Sequence, residues 1–132
     1  MEFIKLYVTA FVSFLALDSI WLGLIAPKFY KKNIGFLMAK VPDFAAAGLF
    51  YLLFIAGLVY FVIQPAVVDK SWVVALYRGA FFGLVTYATF DLTSQAMLKD
   101  WPWLVTVVDL LWGTFITSLV SVVAYIIFTK LF

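Results

Sequence analysis

Three aspartates, Asp18, Asp91 and Asp109, stand inside long apolar runs of a chain that has no Cys and no His. A carboxylate inside a bilayer costs at least about 2.5–3.5 kcal/mol on insertion scales, so apolar propensity does not account for one, let alone three. The missing residue types remove disulfides, thiol nucleophiles, imidazole bases and the His-containing metal sites of membrane desaturases and zinc proteases. No resident metal or cofactor is expected, and any chemistry must run on carboxylates, Tyr, Trp, Lys, Arg and backbone. The obvious counter-ion, Arg78, lies thirteen residues before Asp91, about 20 Å along a helix and at the opposite interface. Three buried acids without a buried base cannot all stay ionised, so protons or a cation must neutralise them. Such a cluster can bind a proton, a metal ion or an organic cation, or set a protonated Asp as general acid beside an ionised partner.

The neighbours of the acids reinforce an interior polar site. Gly79, Gly83, Tyr87, Asp91 and Gln95 recur every four residues, as do Asp109, Gly113, Thr117 and Ser121. Each set forms a stripe of small and polar side chains along one helix face. Such stripes let helices pack closely, and a packed interface can also frame a cavity. Asp18 with Trp21, and Asp109 with Trp112, repeat the pattern D-x-x-W. A spacing of three puts acid and indole on one face, where the indole N–H can bond a carboxylate. The candidate ligand- or proton-binding residues are therefore Asp18, Asp91, Asp109, Trp21, Trp112, Tyr87 and Gln95; no catalytic residue is assigned.

Positioning them is the task of a membrane bundle. Of 132 residues, 67% are hydrophobic and 12% charged, against about half and a quarter in soluble domains. The chain reads as one all-α transmembrane domain, 1–132, a four-helix bundle with spans at about 3–26, 44–63, 72–98 and 103–128. The first run is too long for a signal peptide and lacks its small-residue cleavage site; Pro27 is read as its stop. Asp43 and Ser71 are placed to cap the second and third spans, and Pro102 marks the start of the fourth. The second span carries no ionisable side chain, so it is expected to face lipid most. Asp18 lies nine residues before Pro27, Asp91 eight before Lys99 and Asp109 seven after Pro102. Because successive helices alternate direction, all three fall in one leaflet, about 10–14 Å below a helix end.

The connection 27–42 holds Lys28, Lys31, Lys32 and Lys40 interleaved with aromatic and aliphatic residues, as in a segment lying in the headgroup layer. Lys28, Lys31 and Lys32 are the lipid headgroup candidates. With Lys99 they outnumber Lys5, Lys70 and Lys130 on the other side, which predicts a cytoplasmic first loop and both termini outside. A net charge of +2 without an exposed basic face argues against nucleic acid. The expected partners are membrane lipids and a second copy of the chain, with Gly79 and Gly83 as a candidate dimer contact.

The string D-L-T-S-Q-A-M-L-K-D-W-P-W from Asp91 to Trp103, continuing to V-D-L-L-W-G at 108–113, resembles a family of small bacterial membrane proteins designated domain of unknown function 2177. D-S-I-W-L-G at 18–23 and F-Y-K-K-N-I-G at 29–35 resemble its first span and loop. The resemblance covers nearly the whole chain. It implies a four-span protein of the bacterial inner membrane with no established activity, and Asp18, Asp91, Asp109, Trp21, Trp112 and Pro102 as the positions that match the motif. The resemblance also leans toward lipid biology, because members of that family often sit in gene clusters with enzymes that modify membrane fatty acids. Ser94 departs from the pattern, standing where Asn is expected, so no hydrogen-bonding role carries over to it.

Three readings stay open at this point. The first is a protein that binds or translocates a proton, cation or small ligand from the side of the basic loop. The second is a lipid-modifying enzyme or accessory subunit, and the third a structural membrane subunit whose acids are satisfied by Trp, Tyr, Thr and Gln.

Overall fold

The computed structural model describes residues 2–132. Four helical spans, Glu2–Leu37, Phe44–Asp69, Trp72–Met97 and Trp103–Leu131, are long and apolar enough to cross a membrane, and no strand occurs among the described residues. In lipid every backbone group must bond within its own segment, which leaves a helical bundle as the solution for this composition.

The first span is not one regular helix. Helix α1 (Glu2–Ile20) passes into a π-helical turn, Trp21–Ile25, and then into α2 (Ala26–Ile34) and a 3₁₀ turn at Gly35–Leu37. The second span repeats the device: α3 (Phe44–Leu58), a π turn at Val59–Ile63, then α4 (Gln64–Asp69). Both π turns precede a proline. Pro27 and Pro65 have no N–H, and their rings press on the carbonyl four residues back, which belongs to Gly23 and Phe61 in the middle of each turn. The wider turn makes room for the ring. Its i to i−5 bonds, Ala26 N–H to the Trp21 carbonyl and Gln64 N–H to the Val59 carbonyl, carry the helix onward. The expected stop at Pro27, and the expected end of the second span at Ile63, are thereby corrected. Most of the presumed loop 27–42 is helical as well, and only 38–43 is extended or bent.

Helices α5 (Trp72–Met97) and α6 (Trp103–Leu131) form the tightest pair. A Cβ on Gly79 would sit 2.7 Å from Ser121 Oγ, and one on Gly83 2.7 Å from Thr117 Cβ. A Cβ on Gly113 would enter the ring of Tyr87. The two small-residue stripes thus zip against each other within one chain. Gly79 and Gly83 are buried in that seam, which corrects their assignment to a dimer contact. Ser118 Oγ donates to the Leu76 carbonyl across it at 3.0 Å. The α5 span, rather than the second, buries the smallest share of its length, because its packing surface is this one narrow stripe.

The caps are where the residue types place them: Asp43 accepts from Ala46 N–H at 3.1 Å, and Ser71 from Val74 N–H at 3.4 Å. The apolar core, centred on Leu6, Phe14, Ile55, Ile63, Ile116 and Val120, occupies the half of the bundle nearer the termini. The acids lie in the other half.

Candidate functional site

Asp18, Asp91 and Asp109 are all buried, Asp91 completely. Asp91 and Asp109 face each other from α5 and α6 closely enough to interact. Together they line a cavity of about 420 Å³ whose other walls include Tyr30 and Ile34 of α2 and Tyr87 and Phe90 of α5. Trp101 and Phe50 of α3 also line it. Phe50 and Phe90, which border the cavity, are themselves exposed on the outside of the bundle. No basic side chain lines it.

The three acids are satisfied to different degrees. Asp109 accepts a hydrogen bond from the Tyr30 hydroxyl, and Asp18 one from the Tyr51 hydroxyl at 3.1 Å. Neither carboxyl oxygen of Asp91 accepts from an N–H or hydroxyl donor, and the polar group beside it is the carboxyl of Asp109. A buried polar atom left so costs about 1–3 kcal/mol, more if charged, which sets Asp91 apart from its two neighbours. Among the described residues no three acids come together as a metal-holding group.

Tyr30 reaches the site because the first span turns back over it. Trp21 and Tyr30 are nine residues apart, about 13 Å on a straight helix, yet their ring centroids are 6.4 Å apart. The π turn and Pro27 lie between them and are the ordinary causes of a kink. Beyond it α2 is two-faced: Tyr30, Asn33 and Ile34 are half-buried, whereas Lys28, Lys31 and Lys32 point outward.

The other candidates separate into distinct places. Trp21 and Trp112 stack with centroids 4.5 Å apart and planes 13° apart, so the two D-x-x-W segments meet face to face. The Trp112 N–H lies beside Asp18 without completing a hydrogen bond. Asp18 itself does not line the cavity, whereas Tyr87, which does, is near all three acids. Gln95 is engaged in the α5–α6 turn: its amide donates to the Trp101 carbonyl at 2.8 Å, and its carbonyl oxygen accepts from the Thr106 hydroxyl at 2.8 Å. Trp101 N–H donates to that same hydroxyl at 3.1 Å.

Sequence reasoning passed over Tyr30, Tyr51 and Trp101. Two carried a readable signal. Tyr51 lies eight residues after the cap Asp43, about 12 Å down its helix and hence at the depth of the acids. Tyr30 and Ile34 are spaced i and i+4, opposite the three lysines.

The profile of a family described as "Predicted membrane protein (DUF2177)" matches residues 3–126. The chain belongs to this family. The match takes in every residue of the cavity and of the Trp21–Trp112 stack. No curated protein and no solved structure matches the chain significantly.

Proposed function

We propose that this DUF2177 protein binds a small lipophilic organic cation, such as a protonated amine with an apolar body, at Asp91 and Asp109, with protons as the competing occupant. One observation carries the reading: two buried carboxyls lie side by side in the wall of a cavity lined by aromatic rings and by no basic side chain. Aromatic faces and carboxylates are what recognise an organic ammonium group, and 420 Å³ lies within the range of small-molecule sites. A cavity bordered by the exposed Phe50 and Phe90 suits a ligand that arrives from the leaflet. In this reading the protein sits in a bacterial inner membrane with α2 on the cytoplasmic face. Four spans are few for a complete translocation path, so transport would require a second copy of the chain.

The test is equilibrium dialysis of detergent-purified protein against radiolabelled tetraphenylphosphonium and, separately, dodecylamine. Wild-type protein is expected to bind one cation per site and to release it as pH falls. Asp91→Asn and Asp109→Asn, which keep shape but cannot ionise, should weaken binding at least tenfold while remaining folded by circular dichroism. Unchanged binding in both variants would leave the acids a packing role and end this reading.

A second reading, a lipid-modifying enzyme or accessory subunit, draws on the Tyr30–Asp109 hydrogen bond. That pair offers an acid and a base in the wall of the cavity, on a helix whose outer face carries Lys28, Lys31 and Lys32 for a headgroup phosphate. It calls for lipid turnover that Asp109→Asn abolishes, with lipid binding lost instead in a Lys31→Ala, Lys32→Ala variant.

A further inference from the structure

At the opposite end of the bundle two further cavities meet at Arg78. One, of about 530 Å³, is an apolar groove between the Val59–Ile63 π turn and α5, walled by Phe61, Tyr77, Phe81, Phe82 and Val85. The other, of about 660 Å³, lies toward the membrane surface and brings Glu2, Gln64 and Asp69 to the same arginine. From the bilayer interior outward the surface therefore presents an apolar slot, then a cation, then two carboxylates.

Arg78 is exposed on the lipid-facing side, six residues into α5, about 9 Å below the helix start. A charge there is costly unless its head reaches the interface or meets a counter-charge. Trp72 and Tyr77, both more than half exposed, stand in the first turns of the same helix, where interfacial aromatics gather. A guanidinium at that level matches a phosphate with two parallel hydrogen bonds. An anionic headgroup would then meet Glu2 and Asp69 with the wrong sign, whereas a primary ammonium would meet them with the right one.

We infer that the Arg78 groove is a binding site for one zwitterionic aminophospholipid of the ethanolamine type. An acyl chain lies along Phe61 and Phe81, the phosphate rests on Arg78, and the ammonium group points to Glu2 and Asp69. The site is independent of the acid cavity and lies in the other leaflet.

Native mass spectrometry of the detergent-purified protein, given equimolar phosphatidylethanolamine, phosphatidylcholine, phosphatidylglycerol and diacylglycerol of matched chains, tests this. One retained ethanolamine lipid per chain is expected, favoured at least fivefold over each of the others. Arg78→Gln should cut its retention about tenfold, and Glu2→Gln with Asp69→Asn should turn the preference toward phosphatidylglycerol. Circular dichroism and elution volume check that each variant is folded. Phe81→Ala, at an exposed position, is a milder second probe expected to weaken all diacyl lipids alike. Equal retention of all four lipids, unaffected by Arg78→Gln, overturns the inference. So does a dimer that Phe81→Ala dissociates, because the groove would then be filled by a second copy of the chain.

Discussion

Trp21 and Trp112 lie ring on ring, 4.5 Å between centroids, and this stack joins the first span to the last at the level of the acids. Each indole follows an aspartate by three residues, so the contact fixes the rotation of α1 and α6 about their axes and with it where Asp18 and Asp109 point. Offset-stacked aromatic pairs contribute about 0.5–1.5 kcal/mol beyond the area they bury. A double-mutant cycle on Trp21→Leu and Trp112→Leu, read by reversible unfolding in mixed micelles, should return a coupling energy of that size. The near-ultraviolet circular dichroism of the wild type should be lost equally in either single variant. Additive effects would mean that the rings merely lie close.

The glycines of the bundle divide into those that the α5–α6 seam needs and those, outside it, that no close contact requires. Gly113→Ala drives a methyl into the Tyr87 ring, and Gly83→Ala one into Thr117 and the Gly113 carbonyl. Overpacking of this kind costs about 1–3 kcal/mol. Gly23 and Gly48 have nothing within 4 Å of an added Cβ. Alanine at Gly48, inside α3, should raise stability by about 0.5–1 kcal/mol, since glycine is the poorer helix residue. Unfolding midpoints in one detergent rank all three, and a Gly113→Ala protein as stable as wild type would show that Tyr87 swings free of the seam.

Much of this site was legible in residue types and spacing. Inserted acids are expensive, alternating helices fix their depth, and the i, i+4 stripes foretold the faces on which Asp91 and Asp109 meet. The boundaries were legible where a side chain caps a helix, as at Asp43 and Ser71. They were not legible at Pro27 and Pro65, because proline reads as a helix end while a π turn lets the helix pass it. Misreading Pro27 as a stop turned α2 into a loop, and Tyr30 from a cavity residue into an interfacial anchor. Asp18 and Gln95 show the other limit. Depth and face are one-dimensional properties of a helix, and they do not say that Tyr51 and Trp112 enclose Asp18 while Trp101 and Thr106 engage Gln95.

Topology can be read with two substitutions in a chain that has no cysteine of its own. Lys40, in the extended segment after the 3₁₀ turn, and Lys70, at the end of α4, are both exposed and lie at opposite ends of the bundle. Lys28, Lys31, Lys32 and Lys99 share the Lys40 end, so positive charge favours that end as cytoplasmic. Lys40→Cys should resist an impermeant maleimide in intact cells and react after permeabilisation, while Lys70→Cys should react at once. The reverse pattern inverts the orientation and places the acid cavity in the outer leaflet.

Tyr30 is the residue on which α2 depends. Its hydroxyl donates to Asp109, its ring meets the edge of Trp21, and on the outer face of the same helix the three lysines are exposed. A hydrogen bond to a charged or chargeable group contributes about 1.5–3 kcal/mol. Tyr30→Phe keeps the ring and removes only that bond, so it should loosen α2 without unfolding α5 and α6, whose seam is built elsewhere. Hydrogen exchange by mass spectrometry is the direct measurement. Peptides covering 28–37 should exchange at least tenfold faster in Tyr30→Phe, and peptides covering 76–90 should not change. Tyr51→Phe is the matched control, because it removes a hydrogen bond from Asp18 instead and should leave 28–37 as it was. Equal protection of 28–37 in all three proteins would show that Pro27 and the π turn alone set the position of α2, and that the cavity keeps its shape without the Tyr30–Asp109 bond.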